Sequence, residues 1–148
     1  MSDSIKKQIG ARILANLGAL VQPGDLRAVE RKSDLLAQMS AMPALHVIVN
    51  GEVMTNPEED NRGYTMQFHV DLKIGVKDFR DRAEVLDDLV AKVQTIMESD
   101  VQLGGLANWI RYLGDEPFIN EIDKPIGGTI LTYLVEYRRL RGDPSGDY

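Results

Sequence analysis

The chain contains no cysteine, only two histidines and a single tryptophan among its 148 residues. The absence of cysteine excludes a disulfide framework, a thiol nucleophile and a zinc finger, and it fits a reducing compartment such as the cytoplasm. No signal-peptide pattern opens the chain, and the longest stretch without formal charge, residues 35–51, is interrupted by polar residues and a proline. Since a membrane span needs about 20 mostly apolar residues, we expect a soluble, cytoplasmic protein with no membrane partner.

Positive charge is also scarce. The chain has 17 Lys and Arg residues against 23 Asp and Glu residues, which gives a formal net charge of −6. Phosphate binding depends on clustered Lys and Arg, so this balance disfavours wrapping around nucleic acid. The one basic concentration, Arg138, Arg139 and Arg141, is followed closely by Asp143, and we interpret it as a solvated strand end rather than a phosphate site.

The sequence has the composition of one globular domain. Its 43% hydrophobic and 27% charged fractions are ordinary, and neither predicts disorder. A chain of this length can bury roughly two thirds of its unfolded surface in a single core. We therefore expect one domain over residues 1–141, followed by a flexible tail over residues 142–148.

Two segments have the three- and four-residue apolar spacing of amphipathic helices. The first covers residues 4–20 and is ended by Pro23-Gly24. The second is predicted to begin after Asp81, whose side chain can cap the free backbone amides while Glu84 reaches back in a capping box. The apolar stripes consist of Ile5, Ile9, Ile13, Leu17 and Leu20 in the first helix, and of Leu86, Leu89, Val90, Val93 and Met97 in the second.

Four to five segments are predicted as strands: residues 25–32, 44–53, 64–76, 106–113 and 129–141. The third has the clearest alternation of apolar and polar residues. In the second, one buried face is expected to carry Leu45, Val47, Val49 and Val53. The last is apolar on both faces, as in a central strand or an interface strand. The predicted fold class is α+β, a single mainly antiparallel, mixed sheet with two amphipathic helices packed on one face.

A polar, acid-rich segment, residues 54–63, joins the second and third predicted strands. It is too polar to pack in a core, so we expect a projecting β-hairpin that either reaches a neighbouring subunit or is simply solvated. Among the large aromatics, Trp109 is expected in the core, while Phe118, in an acidic loop, is the better interface candidate. The candidate interface residues are Glu58, Glu59, Asp60, Arg62, Phe118, Tyr137, Arg138, Arg139 and Arg141.

No pattern in the sequence indicates catalysis, a cofactor or a metal. His46 and His69 fall on the polar faces of neighbouring predicted strands, but a metal site needs three or four ligands and no third histidine exists. The carboxylates lie in the hairpin or on the solvent side of a helix, where a sheltered acid–base pair is not expected. Gly127-Gly128-Thr129 is not followed by the Gly-Lys-Ser/Thr of a phosphate loop. We therefore expect no enzyme activity.

Three short motifs mark the C-terminal third: Asp100 followed by Leu103-Gly104-Gly105, then Ile126-Gly127-Gly128-Thr129 opening a Leu/Tyr/Val strand, then Gly142-Asp143-Pro144. Together with the order of the predicted elements, they resemble the tail terminator proteins of long-tailed bacteriophages, also called tail completion or minor tail proteins. The resemblance covers the whole element order and is most specific in these motifs.

The resemblance implies a structural virion protein. Such a protein forms a homohexameric ring on the head-proximal end of the tail tube, stops further tube polymerisation, and offers its other side to the head-completion, or neck, proteins. It would be assembled in the host cytoplasm, and genome DNA would only pass through its lumen, where a negative wall repels phosphate. Two alternatives remain: another head–tail connector or tube-like virion protein, and a small ligand-binding or hydrolytic domain.

Overall fold

Five strands form one mixed sheet in the order β1-β2-β3-β5-β4. The computed structural model describes residues 3–21, 26, 28–31, 43–57, 63–77, 83–120 and 126–145. Its elements are α1 (Ile5–Leu17) with a 3-10 turn (Gly18–Leu20), β1 (Ala28–Arg31), β2 (Ala44–Pro57), β3 (Gly63–Lys77), α2 (Ala83–Glu98), a second 3-10 turn (Leu103–Gly105), β4 (Trp109–Asn120) and β5 (Ile126–Leu140). Only β1 pairs in parallel, with β2, so the mainly antiparallel, mixed α+β fold is confirmed.

Both helices pack on one face of this sheet, which we call the helix face. The predicted stripe of α1 is buried from Ile5 to Leu20, and in α2 Leu89, Val93 and Met97 are buried. They meet the alternate residues of β3 from Met66 to Val76, as the alternation predicted. Full burial of each such side chain stabilises the fold by about 1.5–3 kcal/mol.

Two hydrogen bonds hold the start of α1, one with the Ser4 side chain and one with the segment that follows β5. The side chain of Ser4 accepts a hydrogen bond from the Lys7 amide at 3.1 Å, which caps the helix. The amide of Ile5, the first residue of α1, donates to the Pro144 carbonyl oxygen at 2.8 Å. The segment after β5, predicted to be loose from Gly142, is therefore attached to α1 at Pro144; residues 146–148 lie outside the described part.

Asp100 joins α1 to the turn that precedes β4. Its Oδ2 accepts from Arg12 Nε at 2.9 Å and from Asn16 Nδ2 at 2.8 Å, while Oδ1 accepts from the Gly104 amide at 3.1 Å. The three residues of that turn, from Leu103 to Gly105, all have positive φ. Two glycines in the motif therefore supply a left-handed turn at little steric cost, and the carboxylate holds the turn against α1.

β2 is longer than predicted and changes face along its length. A register shift separates Val49 from Glu52, so the strand bulges at this point and its alternation moves by one residue. Val53, predicted on the buried face, is instead 61% exposed and pairs with Gln67 on the opposite face. Of the segment predicted as a hairpin, residues 54–57 belong to β2, and residues 58–62 lie outside the described part of the chain.

β4 also extends beyond its prediction. Its last residues, from Glu116 to Asn120, were predicted as a loop but pair with β5 as far as Ile126. Pro117 is accommodated because β4 is the end strand of the sheet, where a missing amide donor is tolerated.

Candidate assembly interface

The face of the sheet opposite the helices carries many polar and aromatic side chains, and we call it the open face. It carries His69, Asp71 and Lys73 from β3, Thr132, Leu134 and Glu136 from β5, and Trp109, Arg111 and Phe118 from β4, by the pairing register of these strands. Most of these side chains are partly exposed, and His69 and Arg111 are exposed.

Two carboxylates on the open face are held by neutral donors. Asp71 accepts from Asn50 Nδ2 at 3.1 Å and from Thr132 Oγ1 at 2.8 Å. Glu136 accepts from Gln67 Nε2 at 3.2 Å and from Asn108 Nδ2 at 3.1 Å. These contacts connect β2, β3 and β5 across the face and fix the orientation of the carboxylates.

Two aromatic side chains of β4 lie beneath cations on the same face. The Arg111 guanidinium lies 4.1 Å from the Trp109 ring centre, and the Lys73 ammonium lies 4.8 Å from that of Phe118. Both rings are only partly buried. The core position expected for Trp109 is therefore wrong, because β4 turns this side chain away from the helices. Phe118 lies in a strand rather than a loop, yet remains partly exposed.

The predicted basic interface residues gather at the far end of β5. The guanidinium groups of Arg139 and Arg141 lie 5.1 and 5.4 Å from the ring centre of Tyr64. Arg138, next to them in β5, is partly exposed and pairs with Thr65. The predicted acidic residues Glu58, Glu59 and Asp60, with Arg62, lie outside the described residues.

Tyr137 is not a surface residue of the folded protomer. It is 1% exposed, its ring packs edge-on against Phe68 at 5.8 Å, and its hydroxyl donates to a carboxylate oxygen of Glu52. Burial, together with this hydrogen bond, raises the pKa of Tyr137 above its ordinary value. Its prediction as an interface contact is therefore wrong, because β5 directs its odd-numbered residues towards the helices.

Large apolar side chains are exposed on β2, beyond the part that β1 covers, and on the end strand β4. The β2 patch consists of Val53 and Met54, which are 61% and 52% exposed. The β4 patch consists of Tyr112 and Leu113, which are 38% and 53% exposed. Exposed apolar residues at a strand edge are typical of an interaction surface or of an aggregation hazard.

The two patches lie at different levels of the sheet, because Tyr112 shares its row with Tyr133, Val70 and Val49, four residues before Val53 in β2. Val53 pairs with Gln67, Gln67 with Glu136, and Glu136 with Trp109, so Val53 and Trp109 belong to one row across the strands. Three strand spacings separate the two ends of this row, which is about 14 Å. The sequence did not identify these patches, because the bulges in β2 and β4 that create them leave no periodic signal.

The described residues provide little for other chemistry. No cluster of three His, Asp or Glu side chains within the described ranges could hold a metal ion. His46 pairs with Lys73, four residues along β3 from His69, so roughly 13 Å of strand separates the two imidazoles. In the same part of the chain, no helix is long and apolar enough to cross a membrane.

No protein-family model matches the chain, and no curated protein is significantly similar to it. The geometry of the sheet therefore carries the functional argument.

Proposed function

We propose that this chain is a tail terminator: a structural protein that forms a ring on the head-proximal end of a phage tail tube, ends tube polymerisation and presents a docking surface to head-completion proteins. Its role is recognition rather than catalysis. The ring is a homohexamer, and genome DNA passes through its lumen.

The observation that supports this proposal most strongly is the position of the exposed apolar patches. They lie on β2 and on the end strand β4 of one sheet and not on a single surface. Two copies that meet through different patches form a heterologous contact, and repetition of such a contact around an axis gives a ring. An isologous dimer would instead require one patch that is complementary to itself.

The one-sided helix layer gives further support. It leaves the open face free to contact other proteins, with oriented carboxylates and cation–aromatic pairs on it. A tube end and a neck protein are both folded protein surfaces, and partly exposed Trp, Phe and Arg side chains are enriched in contacts of that kind. The net charge of −6 is compatible with free passage of DNA, since it repels phosphate on average.

The test adds purified protein to tail tube protein from the same phage while the tubes polymerise. We expect shorter tubes that carry a ring at one end in electron micrographs, and particles of six subunits by mass photometry, either alone or in the presence of tubes. A tube-like virion protein would instead polymerise by itself. Strictly monomeric protein beside tubes of unchanged length would contradict the proposal.

A further inference from the structure

Two arginines share one tyrosine ring at the end of β5. Tyr64, near the start of β3, pairs with Arg139, and the guanidinium groups of Arg139 and Arg141 lie 5.1 and 5.4 Å from its ring centre. We call Tyr64, Arg139 and Arg141 the tyrosine–arginine site. Both distances end at the same point, so the two positive charges lie within about one Debye length of each other, about 10 Å at 0.1 M salt. They repel each other, and a negative charge close to both is favoured.

The guanidinium of Arg139 is incompletely bonded in the folded chain. Its Nη1 donates to the Leu140 carbonyl oxygen at 3.2 Å, whereas its Nε is buried and has no acceptor among the residues that the structure describes. A buried donor without an acceptor is destabilising. Nε and Nη2 form the edge of the guanidinium that matches the two oxygens of a carboxylate, so an incoming carboxylate would supply the missing acceptor.

The site lies where the helix layer ends. Tyr64 alternates with Met66 and Phe68 along β3 and therefore faces the helix side, but Met66 and Phe68 are buried whereas Tyr64 is partly exposed. Arg141 is exposed, and Met54, which pairs with Met66, is 52% exposed. An apolar contact surface thus lies beside the two charges.

We propose that the tyrosine–arginine site binds a carboxylate of an acidic protein segment. Arg139 turns its Nε–Nη2 edge towards the carboxylate oxygens, a side-chain rearrangement of a kind that is common on binding. Arg141 supplies the second positive charge, and Met54 packs against the apolar part of the segment. Because the site is on the opposite side of the sheet from the open face, it is additional to the surface proposed for tail assembly and does not depend on that function.

The composition of the site favours a protein carboxylate over a nucleic acid phosphate. Arginine, tyrosine and methionine are enriched in contacts between proteins. Nucleic acid binding instead requires a series of Lys and Arg side chains that neutralise several phosphates. A long polyanion also meets the repulsion of the whole chain, with its net charge of −6, whereas a short acidic segment interacts mainly with charges within a Debye length.

The test uses the full chain and a fluorescent hexaglutamate peptide, with hexaglutamine as the neutral control, and follows fluorescence anisotropy at about 20 mM salt, where screening is weak. We expect Arg139→Gln to weaken hexaglutamate binding about tenfold, as loss of a charge-assisted hydrogen-bonded pair does. Arg139→Lys should recover only part of the affinity, because lysine keeps the charge but lacks the fork. Lys7→Gln is the matched control, since it removes one positive charge from an exposed pair with Asp3.

A second measurement reports on the guanidinium directly. The NMR signal of the Arg139 Nε–H, assigned by its loss in Arg139→Lys, should shift when hexaglutamate is added and stay in place with hexaglutamine. Melting temperatures show whether each variant is folded. If Arg139→Gln does not fold, Arg141→Gln takes its place, and it should also weaken binding because Arg141 is the exposed member of the pair.

Four outcomes would overturn the inference: no binding of hexaglutamate, an equal loss in Arg139→Gln and Lys7→Gln, tighter binding of an oligothymidylate of equal charge, or an Arg139 signal that responds to neutralisation of Glu58, Glu59 and Asp60 but not to the peptide. The third would assign the site to nucleic acid, and the fourth to the chain's own carboxylates. None of these measurements uses tail tubes, so their failure is distinct from failure of the terminator function.

Discussion

Asp100 Oδ2 accepts a hydrogen bond from Arg12 Nε at 2.9 Å, although 88 residues separate the two along the chain. This hydrogen bond makes the largest contribution to lowering the pKa of the Asp100 carboxyl below its ordinary value of 3.8. Partial desolvation raises the pKa, while the hydrogen bonds from Asn16 and Gly104 lower it further. Since the folded pKa is lowered, the carboxylate contributes stability above the unfolded pKa and loses it as pH falls through the folded pKa.

We predict that Asp100→Asn lowers the free energy of unfolding by about 1–2 kcal/mol at pH 7, because three hydrogen bonds lose a charged acceptor. The difference from the unchanged protein should shrink as pH falls below about 4, where the unfolded carboxyl takes up a proton. Urea unfolding at pH 7 and pH 3 measures both effects.

Asp3→Asn is the matched control for this change. The Asp3 carboxylate forms an exposed pair with Lys7 at 3.1 Å, and such pairs contribute about 0.5 kcal/mol or less. An Asp100→Asn effect of equal size at the two pH values would contradict a role for the charge.

Gly128 is predicted to tolerate no side chain. A Cβ there would lie 1.8 Å from the Ile74 carbonyl oxygen, in backbone that cannot move without disturbing the pairing of β3 with β5. Gly128→Ala should lower the free energy of unfolding by about 3 kcal/mol or prevent folding, as overpacking of a rigid site does. Gly18→Ala is the control, because nothing lies within 4 Å and its φ of −58° suits alanine; equal melting temperatures for the two variants would refute the explanation.

Two buried tyrosines on one strand should respond oppositely to loss of the hydroxyl. The Tyr133 hydroxyl has no hydrogen-bond partner among the described residues, whereas that of Tyr137 donates to Glu52. Tyr133→Phe should therefore leave the free energy of unfolding unchanged or raise it by about 1 kcal/mol, while Tyr137→Phe should lower it by a similar amount. Chemical unfolding of the two variants decides this, and a loss in both would show that the Tyr133 hydroxyl has a bonding partner.

The same two tyrosines should resist ionisation in the folded protein. Burial is the largest contribution to the raised pKa of both tyrosines. Because the folded pKa is raised, the stability that the neutral side chains provide is fully present below the ordinary tyrosine pKa near 10, and it is lost as pH rises through the folded pKa. After a rapid jump to pH 11, absorbance at the tyrosinate band should show a fast phase from exposed tyrosines and a slower phase that follows unfolding. A double Tyr133→Phe, Tyr137→Phe variant should lack the slow phase, and its persistence would contradict the assignment.

The helices and β3 could be predicted from sequence because their signals are local. Each of these elements packs one apolar face against a single layer of the core, as shown by the stripe from Ile5 to Leu17 and the alternation from Met66 to Val76. In these segments the local conformational preference and the pattern of buried residues predict the same structure. The Asp100 turn could also be recognised as a motif, although its role in holding α1 depends on Arg12, which no local pattern indicates.

The edges of the sheet could not be predicted in this way. A bulge depends on hydrogen bonding to the neighbouring strand, so the sequence of β2 alone does not show that Val53 has changed face. Pro117 and its polar neighbours favoured a loop in the sequence. An end strand of a sheet tolerates both a proline and polar side chains. Trp109 was expected in the core and is partly exposed, while Tyr137 was expected at the surface and is buried. The register of β4 against β5 decides which face of the sheet each side chain occupies, and composition does not reveal that register.

The interrupted outer edge of β4 has a consequence for the protein in solution. Pro117 and the bulge beside Tyr112 leave only about five consecutive residues of β4 that can pair with another strand. Contacts through this edge are therefore brief and reversible, which protects the folded protein from edge-to-edge aggregation.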